Sequence, residues 1–311
     1  MARRLSRRDA LRVGSLAASA GAAGCLGVGS LLAPSPEKQV ENHASALEPL
    51  ADVSTAIAKG YRTAGTYVRT DAGVVGEPFV NLEVEELNPE KPQAVLYTLT
   101  EEGTYEAVGL KWFVPASDYD SPPSLFGKTF SGPHESEAAL VPEHYALHVW
   151  LYRENPEGLF ARYNPALTPP ALVDRIAPVR EALSAFRVGA EAKKNGYTNT
   201  EKCATTEGGP YGVAFVRDGT DGSGGTDPEK PPVLLYRLTD SWTYQLMGAE
   251  WYVPAAEADG APTMFGRTFH ESMPGHSPKT NQPDHYGLHA WLFKANPGGM
   301  FAPFNPTVSC G

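Results

Sequence analysis

A chain of 311 residues, 41% hydrophobic and 20% charged, is long enough for one large domain or two ordinary ones and too apolar for wholesale disorder. The formal net charge is −10, and the first 24 residues hold five arginines against one aspartate, so residues 25–311 carry −14. A body that acidic repels nucleic acid and anionic membrane, because phosphate binding needs concentrated lysine and arginine.

The N-terminus reads Ser6-Arg7-Arg8-Asp9-Ala10-Leu11-Arg12, followed by a weakly apolar run rich in glycine and alanine. Arg7 and Arg8 resemble the pair of a twin-arginine export signal, with Ala10 where phenylalanine often stands. Ala22-Ala23-Gly24-Cys25 resembles a lipobox. That implies lipidation of Cys25 and a membrane-anchored chain at the cell surface or in the periplasm. An uncleaved anchor is the alternative, but five glycines within residues 13–33 make a poor membrane helix. The twin-arginine route carries folded proteins, so a metal can be loaded before export. Residues 1–41 are therefore read as export signal and tether, 42–167 as a first repeat and 168–311 as a second. With Cys25 lipidated, Cys203 and Cys310 remain, an even pair for an oxidising compartment. Two free thiols are the alternative.

Residues 33–45 are polar and proline-bearing and read as a tether. Leu47, Leu50, Ile57 and Tyr61 predict a helix over 47–62. Strand-like runs follow, one after Pro78-Phe79-Val80 and others at 94–99, 105–114 and 146–152, with a Pro- and Gly-rich loop over 115–143. In the second half Thr168-Pro169-Pro170 starts a helix. One face of it carries Leu172, Ile176, Val179, Leu183 and Phe186. Pro178 predicts a break or kink, and Asn195-Gly196 the end. The acidic loop 217–227 lacks the spacing of a calcium loop and reads as a surface turn.

The halves are alike. Residues 88–130 match 227–269 at 21 of 43 positions, and 142–165 match 283–306 at 14 of 24. A duplicated unit of this size is a domain-like repeat rather than a solenoid unit. Each copy is expected to be a helix followed by a mainly antiparallel sheet with long Pro/Gly-rich loops, an α+β fold. The shared proline, glycine and aromatic residues read as fold maintenance. Trp251, Trp291, Phe301 and Phe304 read as core rather than a ligand groove. The loop 296–306 is apolar enough to fold back over the sheet.

The chemistry collects in the second copy as Glu250, His276, His285 and His289. Three imidazoles and a carboxylate are a common ligand set for Zn, Fe or Mn. Glu250 lies in an alternating run that predicts a strand. The first copy offers His134, His144 and His148, with Lys111 in place of the glutamate. An ammonium cannot ligate a metal, so copy one reads as a degenerate site. His285 and His289 would lie about 6 Å apart on a helix and about 13 Å apart along a strand. The branched and aromatic residues around His148 favour a strand, and a helix capped by Asp284 is the alternative. On a strand only one of the two histidines is expected at the metal, His289 ahead of His285, with Gly287 leaving space above the sheet. Two other readings stand beside this one. In one the histidines are structural, in a metal-free surface module that binds an unknown small molecule or partner; in the other His289 or His276 acts as a base oriented by Glu250 or Asp284. G-x-S-x-G, Walker, Rossmann and C-x-x-C motifs are absent, which removes the commonest enzyme classes.

The tail His285-Tyr286-x-Leu288-His289-x-Trp291, followed by Asn296-Pro297 through Asn305-Pro306 to Cys310, resembles an uncharacterised family of secreted proteins. Similar proteins carry Gly-Tyr and Cys upstream, matching Gly196-Tyr197 and Cys203. The resemblance covers residues 178–311 and, more loosely, the first copy. It implies a Cys203–Cys310 pairing and a discrete unit, and no activity.

Overall fold

A computed structural model describes residues 33–135, 141–206, 209–220, 222–275 and 282–310. Arg7, Arg8 and Cys25 of the expected export signal lie outside the described residues, as does His276. The segment expected to be a tether is helical instead. Ser35 accepts a hydrogen bond from the Lys38 amide and Pro36 enters the first turn of α1 (Pro36–Glu41), which buries Val40. Next, α2 (Ala44–Leu47) buries Leu47. The single helix expected over 47–62 is interrupted. Pro49 sits in a tight 3-10 turn, Glu48–Ala51, and Asp52 then accepts from the Thr55 amide at 2.7 Å to start α3 (Val53–Ala58).

The first repeat continues as β1 (Arg62–Thr63), β2 (Val68–Thr70), β3 (Gly73–Val80), β4 (Ala94–Leu99) and β5 (Tyr105–Pro115). A two-stranded ribbon, β6 (Ser124–Leu125) and β7 (Lys128–Thr129), precedes β8 (Ser131–His134) and β9 (His144–Val149). These strands form an antiparallel sheet in the order β1-β3-β4-β5-β9-β8, with β2 also on β3. The second repeat starts with α4 (Ala171–Ser184) and α5 (Gly189–Lys194). Pro178 lies inside α4 without ending it. The break falls later, between Ser184 and Gly189, so the expected single helix is two. Then come β10 (Tyr197–Thr206), β11 (Gly209–Arg217), β12 (Val233–Leu238), β13 (Tyr244–Pro254), the ribbon β14 (Thr263–Met264) and β15 (Arg267–Thr268), and β16 (His285–Ala290). The second sheet runs β10-β11-β12-β13-β16, again antiparallel.

The fold is therefore α+β, with two similar sheets each preceded by helices. The likeness extends to single hydrogen bonds. Trp112 donates its indole N–H to the Asn88 carbonyl at 2.7 Å, and Trp251 to that of Asp227 at 2.8 Å. Trp150 and Trp291 donate to Ala161 and Ala302, both at 2.7 Å. Gly76 and Gly212 both have positive φ, and a Cβ on either would lie 2.4 Å or less from a neighbouring strand's carbonyl oxygen, Tyr97 or Tyr236. The identities shared by the halves are thus largely those of folding, as expected. The loop 296–306 does fold back: the Trp291 amide donates to Met300 and the Asn305 amide to Pro210.

Residues 35–311 form one compact unit. One face of each sheet enters a common core, where Phe79, Tyr97 and Trp112 join α4 residues Leu172, Ile176 and Leu183 and second-sheet residues Phe215, Tyr236 and Trp251. A buried ion pair crosses between the repeats. Arg180 of α4 reaches Glu77 of β3 through both terminal nitrogens, at 3.0 and 3.1 Å. The Thr63 hydroxyl also donates to Glu77. Burial opposes the charge on Arg180, but Glu77 and Tyr105 together outweigh it, and the guanidinium pKa is raised. Cys203 on β10 is bonded to Cys310 with Cα atoms 5.5 Å apart, which points to an extracytoplasmic compartment. Among the described residues no helix is long and apolar enough to cross a membrane.

Candidate functional site: a buried His–Glu–His cluster

On β13, Ala249 and Trp251 point into the common core, so the alternation of a strand turns Glu250 and Tyr252 to the opposite face. Antiparallel pairing sets Glu250 against His289, Tyr252 against Gly287 and Pro254 against His285. Directly opposed residues share a face. The strand reading of 285–290 holds, and it gathers the carboxylate and both imidazoles on one side of the sheet.

Both histidines reach the same carboxylate. His285 Nε2 lies 3.3 Å from Glu250 Oε1, and His289 Nε2 lies 3.9 Å from Oε2. His285 is the nearer of the two to the carboxylate, and the long glutamate between the two rings spans their separation along the strand. Gly287 lies beneath both side chains: a Cβ there would be in ordinary contact with them, 3.4 Å from the His285 ring and 3.5 Å from Glu250 Oε1.

The cluster is sealed: Glu250, His285 and His289 are each at most 1% exposed. Gln282 donates to Glu250 Oε1 at 3.3 Å. The Tyr211 ring stacks on His289 with centroids 5.5 Å apart, and Tyr252 meets His285 edge-on. His270 comes within 6.4 Å of the His289 ring and hydrogen-bonds the Phe301 carbonyl at 3.2 Å. Burial lowers the pKa of His270 against that hydrogen bond. Tyr211, His270 and Gln282 were missed in the sequence. Comparing the halves would have flagged Tyr211, since Gly-Pro-Tyr-Gly at 209–212 stands where the first copy has Gly-Val-Val-Gly at 73–76.

Proton bookkeeping at His285 is informative. Its Nδ1 lies 2.9 Å from the Pro283 carbonyl oxygen. A carbonyl can only accept, so Nδ1 carries the hydrogen. A neutral His285 then turns the Nε2 lone pair toward a carboxylate oxygen. Two acceptors at 3.3 Å repel unless a positive charge lies between them, either a proton or a metal ion.

The first repeat uses the same scaffold with the charge reversed. Lys111 pairs with His148, Phe113 with Ala146 and Pro115 with His144. His144 Nδ1 again meets a carbonyl, that of Pro142, at 2.9 Å. His134 lies with its ring 6.1 Å from that of His144 and its Nε2 2.9 Å from the Ser131 hydroxyl. Here the cation is built in, as the Lys111 ammonium. Burial first, then Lys111, holds the His148 pKa well below 6.5. Below that pH the unfolded chain takes a proton at His148 that the folded chain refuses. Stability contributed by the neutral ring is therefore full above pH 6.5 and lost as pH falls below it. Replacing His148 by asparagine is expected to flatten the fall in unfolding free energy between about pH 6.5 and 4.5, measured by urea titration. An unchanged slope would show that His148 is protonated in the folded chain.

Among the described residues, no group of three or more His, Cys, Asp or Glu side chains has metal-ligand spacing, and His276 lies outside them. No family model, curated protein or solved structure matches this chain, so its function is to be read from these side chains.

Proposed function

We propose that the second repeat takes up one divalent cation, Zn, Fe or Mn, on Glu250, His285 and His289, with His276 as a further ligand, the three described side chains drawing closer than their ligand-free spacing to hold it. The protein is an exported one, carried by a twin-arginine signal at Arg7-Arg8 and tethered through a lipid on Cys25. The observation that carries this reading is the His285 Nε2 lone pair facing the Glu250 carboxylate, with Nδ1 committed to a backbone carbonyl. Imidazole donating its second nitrogen to a carbonyl is the usual setting of a metal-ligating histidine. Exposure of at most 1% at all three side chains favours a closed centre that supports the fold over one with an open catalytic position.

Protein purified without a histidine tag from cells supplied with all three metals is expected to carry about one metal per chain by elemental analysis. Glu250→Gln and His289→Gln are expected to reduce this to below about 0.2. Removing the metal from the wild type should lower its unfolding midpoint. Folded wild type with under about 0.2 metal per chain would sink the proposal. The bridging charge would then be a proton, and a metal-free surface module with structural histidines would be the better reading.

A further inference from the structure

A second site lies at the seam between the repeats, away from the buried cluster. A cleft of about 490 Å³ opens between the β1 region of the first repeat and the β12–β13 hairpin of the second. Four cations line it: Arg62, Arg187, Arg237 and Lys294. None of its described lining residues is acidic, although the chain carries −14 beyond residue 24. The partners of these cations are neutral. Arg62 donates to the carbonyls of Ile57 and Tyr61, at 2.9 and 3.0 Å. Arg237 Nε donates to Gln245 Oε1 at 2.9 Å. The Arg187 guanidinium lies 3.9 Å above the centre of the Phe293 ring. Burial, then Arg237 and Arg62, pushes the Lys294 ammonium down to about 8.

The first repeat shows that this imbalance is particular to the second. There the equivalent cross-strand pair is Thr98 and Glu106, and Glu106 forms an ion pair with Arg153 at 3.2 Å. In the second repeat Thr98 becomes Arg237, Glu106 becomes Gln245 and Arg153 becomes Lys294. One carboxylate is lost and one cation gained at matched positions of the same scaffold. Glu154, beside Arg153, is likewise replaced by Ala295, which lines the cleft.

We propose that this cleft binds a small organic oxyanion, a phosphate ester or a carboxylate with an aromatic or aliphatic body. The guanidinium groups and Lys294 would take the oxyanion, because planar guanidinium donors match phosphate and carboxylate oxygens. Phe293, Leu246 and Met247 would take the body of the molecule. The volume is in the range of small-molecule sites. Such an oxyanion is available either as a soluble ester or as a lipid headgroup, and the acidic surface of the chain favours the soluble source.

Phenyl phosphate titrated into the wild-type protein at low salt is expected to bind saturably, with phenol as a control that does not. Lys294→Gln should weaken binding at least about tenfold, and raised salt should weaken it further. Gln245→Glu restores the first repeat's carboxylate at this position on an exposed cross-strand pair, and should abolish binding while leaving the unfolding midpoint unchanged. Vesicles of phosphatidylglycerol form a parallel arm. Absence of saturable phenyl phosphate binding up to about 10 mM overturns the proposal, as does binding to the vesicles alone. Undiminished binding by Gln245→Glu overturns it too. None of these outcomes depends on whether the buried cluster holds a metal.

Discussion

Replacing Arg180 by alanine is expected to lower the unfolding free energy by about 3–5 kcal/mol. Glu77 is fully buried, and its carboxylate is held from two sides, by both terminal nitrogens of Arg180 and by the Thr63 hydroxyl. Removing the guanidinium leaves an uncompensated charge with no solvent to receive it. The same reasoning gives a contrasting result for the double variant. Glu77→Leu with Arg180→Met removes both charges, and should be close to neutral, because breaking a buried pair costs far more than replacing it. The second repeat supports this: the position equivalent to Glu77 is Val213, packed in the common core. Urea unfolding of the two single variants and the double variant tests the pair. A loss below about 1 kcal/mol for Arg180→Ala would mean that solvent reaches the carboxylate.

Opening the Cys203–Cys310 bridge is the other large effect. The two residues are 107 apart in sequence, so the bond removes a long loop's freedom from the unfolded chain. Reduction, or Cys203→Ser, is expected to cost about 4–5 kcal/mol in the chain-entropy picture. The position of the bridge adds a second consequence. Strand β10 is the edge of its sheet, and the bridge ties to it a tail in which Val308 is buried against Ala204, Tyr211 and Tyr252. Tyr211 and Tyr252 are the rings that pack on His289 and His285. Reduction should therefore raise the exposure of the cluster as well as lower the midpoint. Denaturant melts with and without reductant, read beside hydrogen exchange at 285–290, check both parts. Reduced protein with an unchanged midpoint would show that packing alone holds the tail.

Most of the architecture was legible because the chain contains its own comparison. The strands around 94–99 and 105–114 could be drawn within a residue, since alternation and the repeated Trp-x-Val-Pro-Ala pattern agree. The N-terminal helices were not legible. α1 is short and polar and α2 is a single turn, and each buries one residue, Val40 or Leu47, in a core assembled from distant segments. Pro178 does not end its helix: α4 continues through it to Ser184, and the break comes only before α5. At the candidate site, the pairing of Glu250 with His289 needs a strand register that no local pattern supplies. The approach of His285 to Glu250 depends on the same register, which sets Pro254 against His285. His270 and Gln282 enter through chain reversals outside the regular strands, where periodicity carries no information.

The common core has a consequence for how such a chain could arise. A single copy would expose the face of its sheet that the other copy now covers, and would be sticky rather than self-sufficient. Two separate copies laid together would hide that face at the expense of depending on their concentration. Carrying both copies in one chain removes that dependence, and it lets matched positions differ, as Lys111 and Glu250 do.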